Sequence, residues 1–183
     1  MYTLVRKTLE IYLTEKRVLT LTDFPADASK YTSLKEAIFI TLYYQWRIIA
    51  SSGRIACKKE NTVYECIDNT LLCLKDARFV TEMQDIEKLK DIHIRTDRLR
   101  PEGRRMLQNI SELDTSREGL LFLSQNLSAL SIILPHMVNG DTSPEAYFSL
   151  AVKKAGLDIT KLASTDYVIY GITTTSESDF DDK

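Results

Sequence analysis

Ala37-Ile38-Phe39-Ile40-Thr41-Leu42-Tyr43-Tyr44, then Gln45, then Trp46-Arg47-Ile48-Ile49-Ala50 is the stretch whose reading decides the fold class. Both runs are dense in β-branched and aromatic residues, which fit a pleated surface. Only the neighbourhood of Gln45 is left to turn the chain. Runs joined so tightly pair antiparallel, because a parallel crossover needs about a dozen residues or more. The same grammar returns downstream, where Leu120-Leu121-Phe122-Leu123 and Leu130-Ser131-Ile132-Ile133-Leu134 flank the polar Ser124, Gln125 and Asn126. Ile92 with Ile94, and Tyr167-Val168-Ile169-Tyr170-Gly171-Ile172, read as further strands.

Helical patterns lie between these strand pairs. Residues 3–16 place Leu4, Val5, Leu9, Tyr12 and Leu13 on one side, with Arg6, Lys7, Glu10 and Glu15 mostly on the other. Thr62 and Glu65 match a T-x-x-E capping box, and the apolar stripe from Val63 through Cys66, Ile67, Leu71 and Leu74 to Ala77 predicts a helix over 62–78. Thr81 with Gln84 gives the same start signal for a short helix carrying Ile86 and Leu89. Ser143, Pro144 and Gly156 punctuate a third long helix over 143–155, with Phe148, Ala151, Val152 and Ala155 as its buried stripe. Residues 17–33 read as a loop packed by Leu19, Leu21 and Phe24, and 100–118 as a charged connecting segment. The expected fold is therefore α+β, with a mainly antiparallel sheet and packed helices. Glu177, Asp179, Asp181 and Asp182 predict an acidic frayed tail over 176–183, leaving 1–175 as a single domain.

Lys and Arg total 24 against 26 Asp and Glu, for a net charge of −2. That balance argues against a broad nucleic-acid surface. The chain has 183 residues, 44% of them hydrophobic and 27% charged, enough to bury a core. No apolar run reaches the roughly 18–20 residues that span a bilayer, and Met1-Tyr2-Thr3-Leu4-Val5-Arg6-Lys7 lacks the order of a signal peptide. A cytoplasmic protein with no membrane partner is the expectation. Cys57, Cys66 and Cys73 are odd in number, and on one helix Cys66 and Cys73 would stand about 10 Å apart, too far to bridge. With no C-x-x-C, and with His93 and His136 isolated, free thiols, no metal and no cofactor are expected.

Five constellations could carry chemistry. Ser51-Ser52-Gly53-Arg54 reads as a turn whose amides, hydroxyls and cation suit a small phosphate or carboxylate, against the plainer reading of an ordinary turn. Asp76, Arg78 and Phe79 follow the 62–78 helix, where Asp76 suits pairing with Arg78. Ser51, His136 and Asp76 can be drawn as a hydrolytic triad, but G-x-S-x-G is absent. Arg95, Arg98, Arg100, Arg104 and Arg105 form the most basic stretch, for RNA or, more simply, as a solvated face with local ion pairs. Trp46, Tyr43 and Tyr44 gather at the first hairpin turn, either as cross-strand packing or as a partner surface.

Taken in order, several short stretches resemble the AMMECR-type domain over nearly the whole chain, from about Leu4 to about Thr173. Leu4-Val5, Thr8-Leu9-Glu10, Tyr12-Leu13 and Phe39-Ile40-Thr41-Leu42 match its opening. Asp76-Ala77-Arg78-Phe79 is similar to its D-P-R-F, and Glu118-Gly119-Leu120 to its D-G-L. Leu134-Pro135-His136-Met137-Val138 is similar to its L-P-Q-V, and Lys153-Lys154-Ala155-Gly156-Leu157 to its K-A-G-L. The family's L-R-G-C-I-G meets Ile48-Ile49-Ala50-Ser51-Ser52-Gly53, so Ile49 replaces its arginine and Ser51 its cysteine. The resemblance implies an α+β fold of two unequal lobes with a cleft. It also implies gene association in prokaryotes with a dioxygenase-like metal-site family and a radical-SAM family. The missing cysteine and arginine favour binding of a small anionic ligand or partner protein without catalysis. An enzyme of unknown reaction and an RNA-binding module are the alternatives. Ser51, Ser52, Gly53, Arg54, Asp76, Arg78 and His136 are the candidate binding residues.

Overall fold

The computed structural model describes residues 1–125, 128–138 and 140–180, without the side chains of Pro101 and His136. The chain runs α1 (Tyr2–Glu15), β1 (Ala37–Tyr44), β2 (Arg47–Gly53), α2 (Thr62–Cys73), α3 (Ala77–Glu82), β3 (Ile92–Leu107), β4 (Gly119–Ser124), β5 (Leu130–Ile133), α4 (Pro144–Lys154) and β6 (Tyr167–Ser178), with short 3₁₀ turns between. The strands are ordered β2-β1-β3-β6-β4-β5, and the registered pairs are antiparallel. This is the α+β class with an antiparallel sheet. No helix among the described residues is long and apolar enough to cross a membrane. The chain forms two compact units, Met1–Leu99 with Thr175–Lys183, and Arg100–Thr174.

In the first unit, Leu4, Val5 and Leu9 of α1, Val63, Cys66 and Ile67 of α2, and Ile38, Ile40 and Leu42 of β1 share one core. Each aliphatic side chain buried in this way contributes about 1.5–3 kcal/mol relative to exposure. The β1–β2 hairpin turns through Gln45 and Trp46, with φ of 48° and 61°. Left-handed backbone at both central turn positions matches the twist of the flanking strands, but it normally calls for Asn-Gly. Next to this turn a bulge shifts the register between Leu42 and Tyr43.

Helix starts depart from the sequence reading in an instructive way. Asn61, not Thr62, caps α2: its Oδ1 accepts the amides of Val63 and Tyr64 at 3.0 and 3.2 Å. The Thr62 hydroxyl instead accepts the Glu36 amide at 2.8 Å, sewing the helix start to the strand entrance. α2 ends at Cys73 rather than at 78, and Asp76 caps a separate α3 by accepting the Arg78 amide at 3.0 Å. Thr81 closes α3 rather than opening a helix; its hydroxyl donates to Ala77 O at 2.8 Å, and Asp85 caps the following turn. Within 17–33, Leu19 is buried and Phe24 half-buried, but Leu21 is exposed.

Two larger expectations are overturned. The charged run after Leu99 continues β3 as far as Leu107 rather than forming a connecting segment. Residues 176–178 complete β6, and Glu177 and Asp179 are tied down rather than frayed. Glu177 accepts the Tyr31 hydroxyl at 2.6 Å, while Asp179 accepts the Ile94 amide at 2.8 Å and Arg6 at 2.6 Å. Arg6 also donates to Leu89 O at 2.7 Å, so one guanidinium joins α1, the approach to β3 and the end of the chain. Residues 181–183 lie outside the described residues, as does Asn126 of the β4–β5 loop.

In the second unit, β4 pairs with β5 and β6, and α4 lays Tyr147, Ala151 and Val152 on Leu120, Phe122, Ile133 and Ile169. The expected caps are present: Ser143 Oγ accepts the Ala146 amide at 3.2 Å, and Gly156 follows the helix with φ of 75°. Tyr147, absent from the expected stripe, is fully buried, whereas Phe148 and Ala155 are partly buried. Glu118 pairs with Arg105 at 2.8 Å and lies over Gly171, where a Cβ would stand 2.7 Å from its carboxylate.

Asn61→Ala is expected to lower unfolding free energy by about 1 kcal/mol, the ordinary value of such a cap. Urea denaturation at neutral pH measures it; an unchanged midpoint would mean that Asn61 caps nothing.

Candidate functional site

Ser51–Gly53 belong to β2, the outer strand of the sheet, rather than to a turn. The Ser51 amide points off the sheet and meets Asp76 Oδ2 at 3.4 Å, so Ser51 and Asp76 are neighbours. Asp76 also holds Arg78, whose Nε and Nη2 reach its two oxygens at 3.0 and 2.7 Å. That fork, together with the backbone amides of Arg78 and Ser51, outweighs partial burial and lowers the Asp76 pKa to about 2.

The other candidates are turned elsewhere. Ser52 Oγ donates to Asn69 Oδ1 of α2 at 3.2 Å. Gly53 leaves room for the Phe39 ring, since a Cβ there would lie 2.1 Å from ring atom Cδ1. Arg54 reaches Glu65 at 2.8 Å and Asp68 at 2.6 Å on α2, and Lys59 joins Asp68 at 2.9 Å. Glu65 has a side chain with no solvent exposure. Its Oε2 takes the amides of Lys58 and Lys59 at 2.8 and 3.0 Å, and its Oε1 takes Asn69 Nδ2 at 3.0 Å. Burial pushes this carboxyl up, but Arg54 and these donors prevail and hold it below its ordinary range. His136 belongs to the second unit, and its side chain lies outside the described residues.

Alongside Ser51 and Asp76 lies a feature that sequence reasoning missed. Arg47, Ile48 and Ile49 of β2 and Ala77, Arg78, Thr81 and Glu82 of α3 line an open groove of about 400 Å³. Its helical wall follows from α3 spacing: 77, 78, 81 and 82 share one face. Ile48 is 41% exposed, and Arg47 leans toward Glu82 at 3.8 Å. At the hairpin tip Trp46, 65% exposed, stacks on His93 with ring centroids 4.4 Å apart, and Phe180 stands edge-on to both. The signal for the groove was present in the sequence as Ile48 and Ile49 in place of polar residues, but nothing in it said that this strand is an edge.

The basic stretch is a solvated face only in part: Arg100 and Arg105 are exposed, and Arg105 pairs with Glu118. Arg95 lies against Asp97 at 3.3 Å and Arg98 against Glu36 at 2.5 Å, and all four residues are buried. Cys66 and Cys73 are buried thiols that desolvation pushes up to about 12, and burial also raises the half-exposed Cys57. None of the three is poised as a thiolate.

No family model matches the chain, and no curated protein matches it. Among solved structures it is similar to the uncharacterized protein PH0010 from Pyrococcus horikoshii. The TM-score is 0.68 at 16% identity, covering 95% of this chain and 87% of that one. The likeness is one of fold.

Two outcomes are expected. A carboxylate with a lowered folded pKa stabilises the fold above its unfolded pKa, about 3.9, and loses that contribution as pH falls toward the folded value. The stability gap between the parent and Asp76→Asn should thus be full above about pH 5 and shrink toward pH 2; a pH-independent gap would contradict the ion pair. In the native protein a thiol reagent should modify Cys57 alone, with Cys66 and Cys73 reacting only after denaturation.

Proposed function

We propose that this chain is a divergent AMMECR-type domain that works as a binding module, taking an extended segment of a partner protein between β2 and α3. The ordered family-like motifs support the family reading, and the α+β fold agrees with what that resemblance implies. The observation that carries the binding reading is the groove itself, with a sheet edge as one wall and one face of a short helix as the other. An edge strand offers unpaired backbone groups to an incoming strand, while the pockets beside it select side chains. Ile48 and Ile49 suit an apolar residue of the segment, and Arg47 suits an acidic one.

Two facts set this reading above the small anion. Arg54 is spent on Glu65 and Asp68, and Arg78 on Asp76, so an anion at this locus would have to displace a carboxylate from either cation. Catalysis draws equally little support: the carboxylate nearest Ser51 already accepts a backbone amide and an arginine fork. Trp46 adds a further argument. An aromatic residue held at positive φ and left mostly in solvent costs stability, and such costs cluster at functional surfaces.

The test selects peptides from a displayed library on the folded protein and measures affinities by fluorescence anisotropy. Thr81→Arg, which fills the groove from an exposed helix position, is expected to weaken the selected peptides at least tenfold with the fold intact. Replacing Gln45-Trp46 by Asn-Gly should raise thermal stability while weakening the same peptides. Failure to select any groove-dependent peptide would overturn the reading. So would edge-to-edge dimerisation abolished by Ile48→Lys, or saturable phosphate binding abolished by Arg78→Ala.

A further inference from the structure

Arg104, on the part of β3 that belongs to the second unit, has a buried Nε with no hydrogen-bond partner. Among the described residues its guanidinium has no carboxylate partner either. Its neighbour Arg105 shows the contrast, being fully engaged by Glu118. Desolvation lowers the Arg104 pKa, and among the described residues Tyr170 acts against that shift. A partly desolvated cation without a counter-charge is a cost that folded chains rarely carry.

The surroundings say what would relieve it. Gly103 lies against Thr173, whose hydroxyl donates to Gly103 O at 3.5 Å, and Arg105 reaches the carboxylate over Gly171. Alternation along the strands then sets Arg104 beside Ile172 and Tyr170, on the face opposite the one that α4 covers. Leu121 stands across from Tyr170, and Ile132 across from Leu121. Leu121, Ile132 and Ile172 are buried, while Met106, on the same strand face as Arg104, is 53% exposed. The face thus combines one unspent guanidinium, a phenol and an apolar surround.

We propose that this face binds a small organic carboxylate, the carboxylate forking onto Arg104 with Tyr170 donating to it, and the apolar body of the ligand lying against the exposed Met106. A single guanidinium matches a single negative charge, and its planar donors match the two oxygens of a carboxylate. The site is separate from the β2–α3 groove, and neither reading depends on the other.

The experiment follows thermal stability against added benzoate at constant ionic strength, with benzyl alcohol, acetate and phenyl phosphate as comparison ligands. A ligand that binds only the folded state raises Tm with concentration. Benzoate should raise Tm saturably and benzyl alcohol should not, with acetate and phenyl phosphate weaker. Arg104→Met should abolish the shift while leaving the unliganded Tm equal or higher, because it removes an uncompensated charge. Arg104→Lys should keep part of the shift, and Tyr170→Phe should weaken benzoate several-fold. In ¹⁵N-labelled protein the Arg104 Nε–H resonance, assigned by its loss in Arg104→Lys, should move on titration. An equal benzoate shift in Arg104→Met, or no saturable shift in the parent, would overturn the proposal. So would a Tm in Arg104→Met several degrees below the parent, which would give the guanidinium a structural role. Tighter binding of phenyl phosphate than of benzoate would replace the carboxylate by a phosphate.

Discussion

A carboxylate with no contact to solvent sits on α2 and dictates how the chain passes from β2 into that helix. Glu65 would be untenable there alone, since an isolated buried charge costs several kcal/mol. It is made tenable by Arg54, by two successive backbone amides of the connecting loop, and by Asn69. Those partners come from the end of β2, the loop and the helix, so the pairing of strand and helix rests on one acidic group. The same contact removes Arg54 from any ligand-binding role. Structure and function at this locus therefore compete for a single cation, and structure takes it.

Charge elsewhere in the first unit follows the same economy. Arg6 draws α1, the backbone before β3 and Asp179 together, while Arg98 meets Glu36 at the entrance to β1. These are long-range pairs between residues far apart in sequence. Removing one partner would strand the other in a poorly solvated place, which is why such pairs act on register and topology more than on net stability. Glu177 and Asp179 are held because they answer cations already present on β3 and α1.

With most arginines committed, the surfaces left for recognition stand out by subtraction. The β2–α3 groove is apolar along its floor and bordered by backbone, so it suits a chain segment better than a free ion. In the second unit, Arg104 has no answering acid among the described residues, and its strand face carries Tyr170, Ile172 and Met106 rather than charge. The proposed recognition of a segment and the proposed recognition of a carboxylate call for different chemistry, and the groove and Arg104 belong to different units.

The local rules of the chain were legible in its residues: β-branched runs on either side of Gln45 dictate an antiparallel hairpin, and Ser143-Pro144 with Gly156 dictate where α4 begins and ends. These features depend on neighbours within a few positions, which a sequence displays directly. What Thr62, Glu65, Arg54, Arg98, Glu177 and Asp179 do depends on partners tens of residues away, and a charged residue looks the same in sequence whether solvated or paired. A capping box was the reasonable reading of Thr62 and Glu65, yet Asn61 took the cap because the loop's amides and Arg54 claimed Glu65. Likewise the run from Arg100 to Leu107 reads as a solvated connection until β6 lies beside it. Periodicity and punctuation in the sequence determined the elements; only the tertiary structure decided which strand became an edge and which cations stayed unspent, because both depend on which distant groups arrive to pair with them.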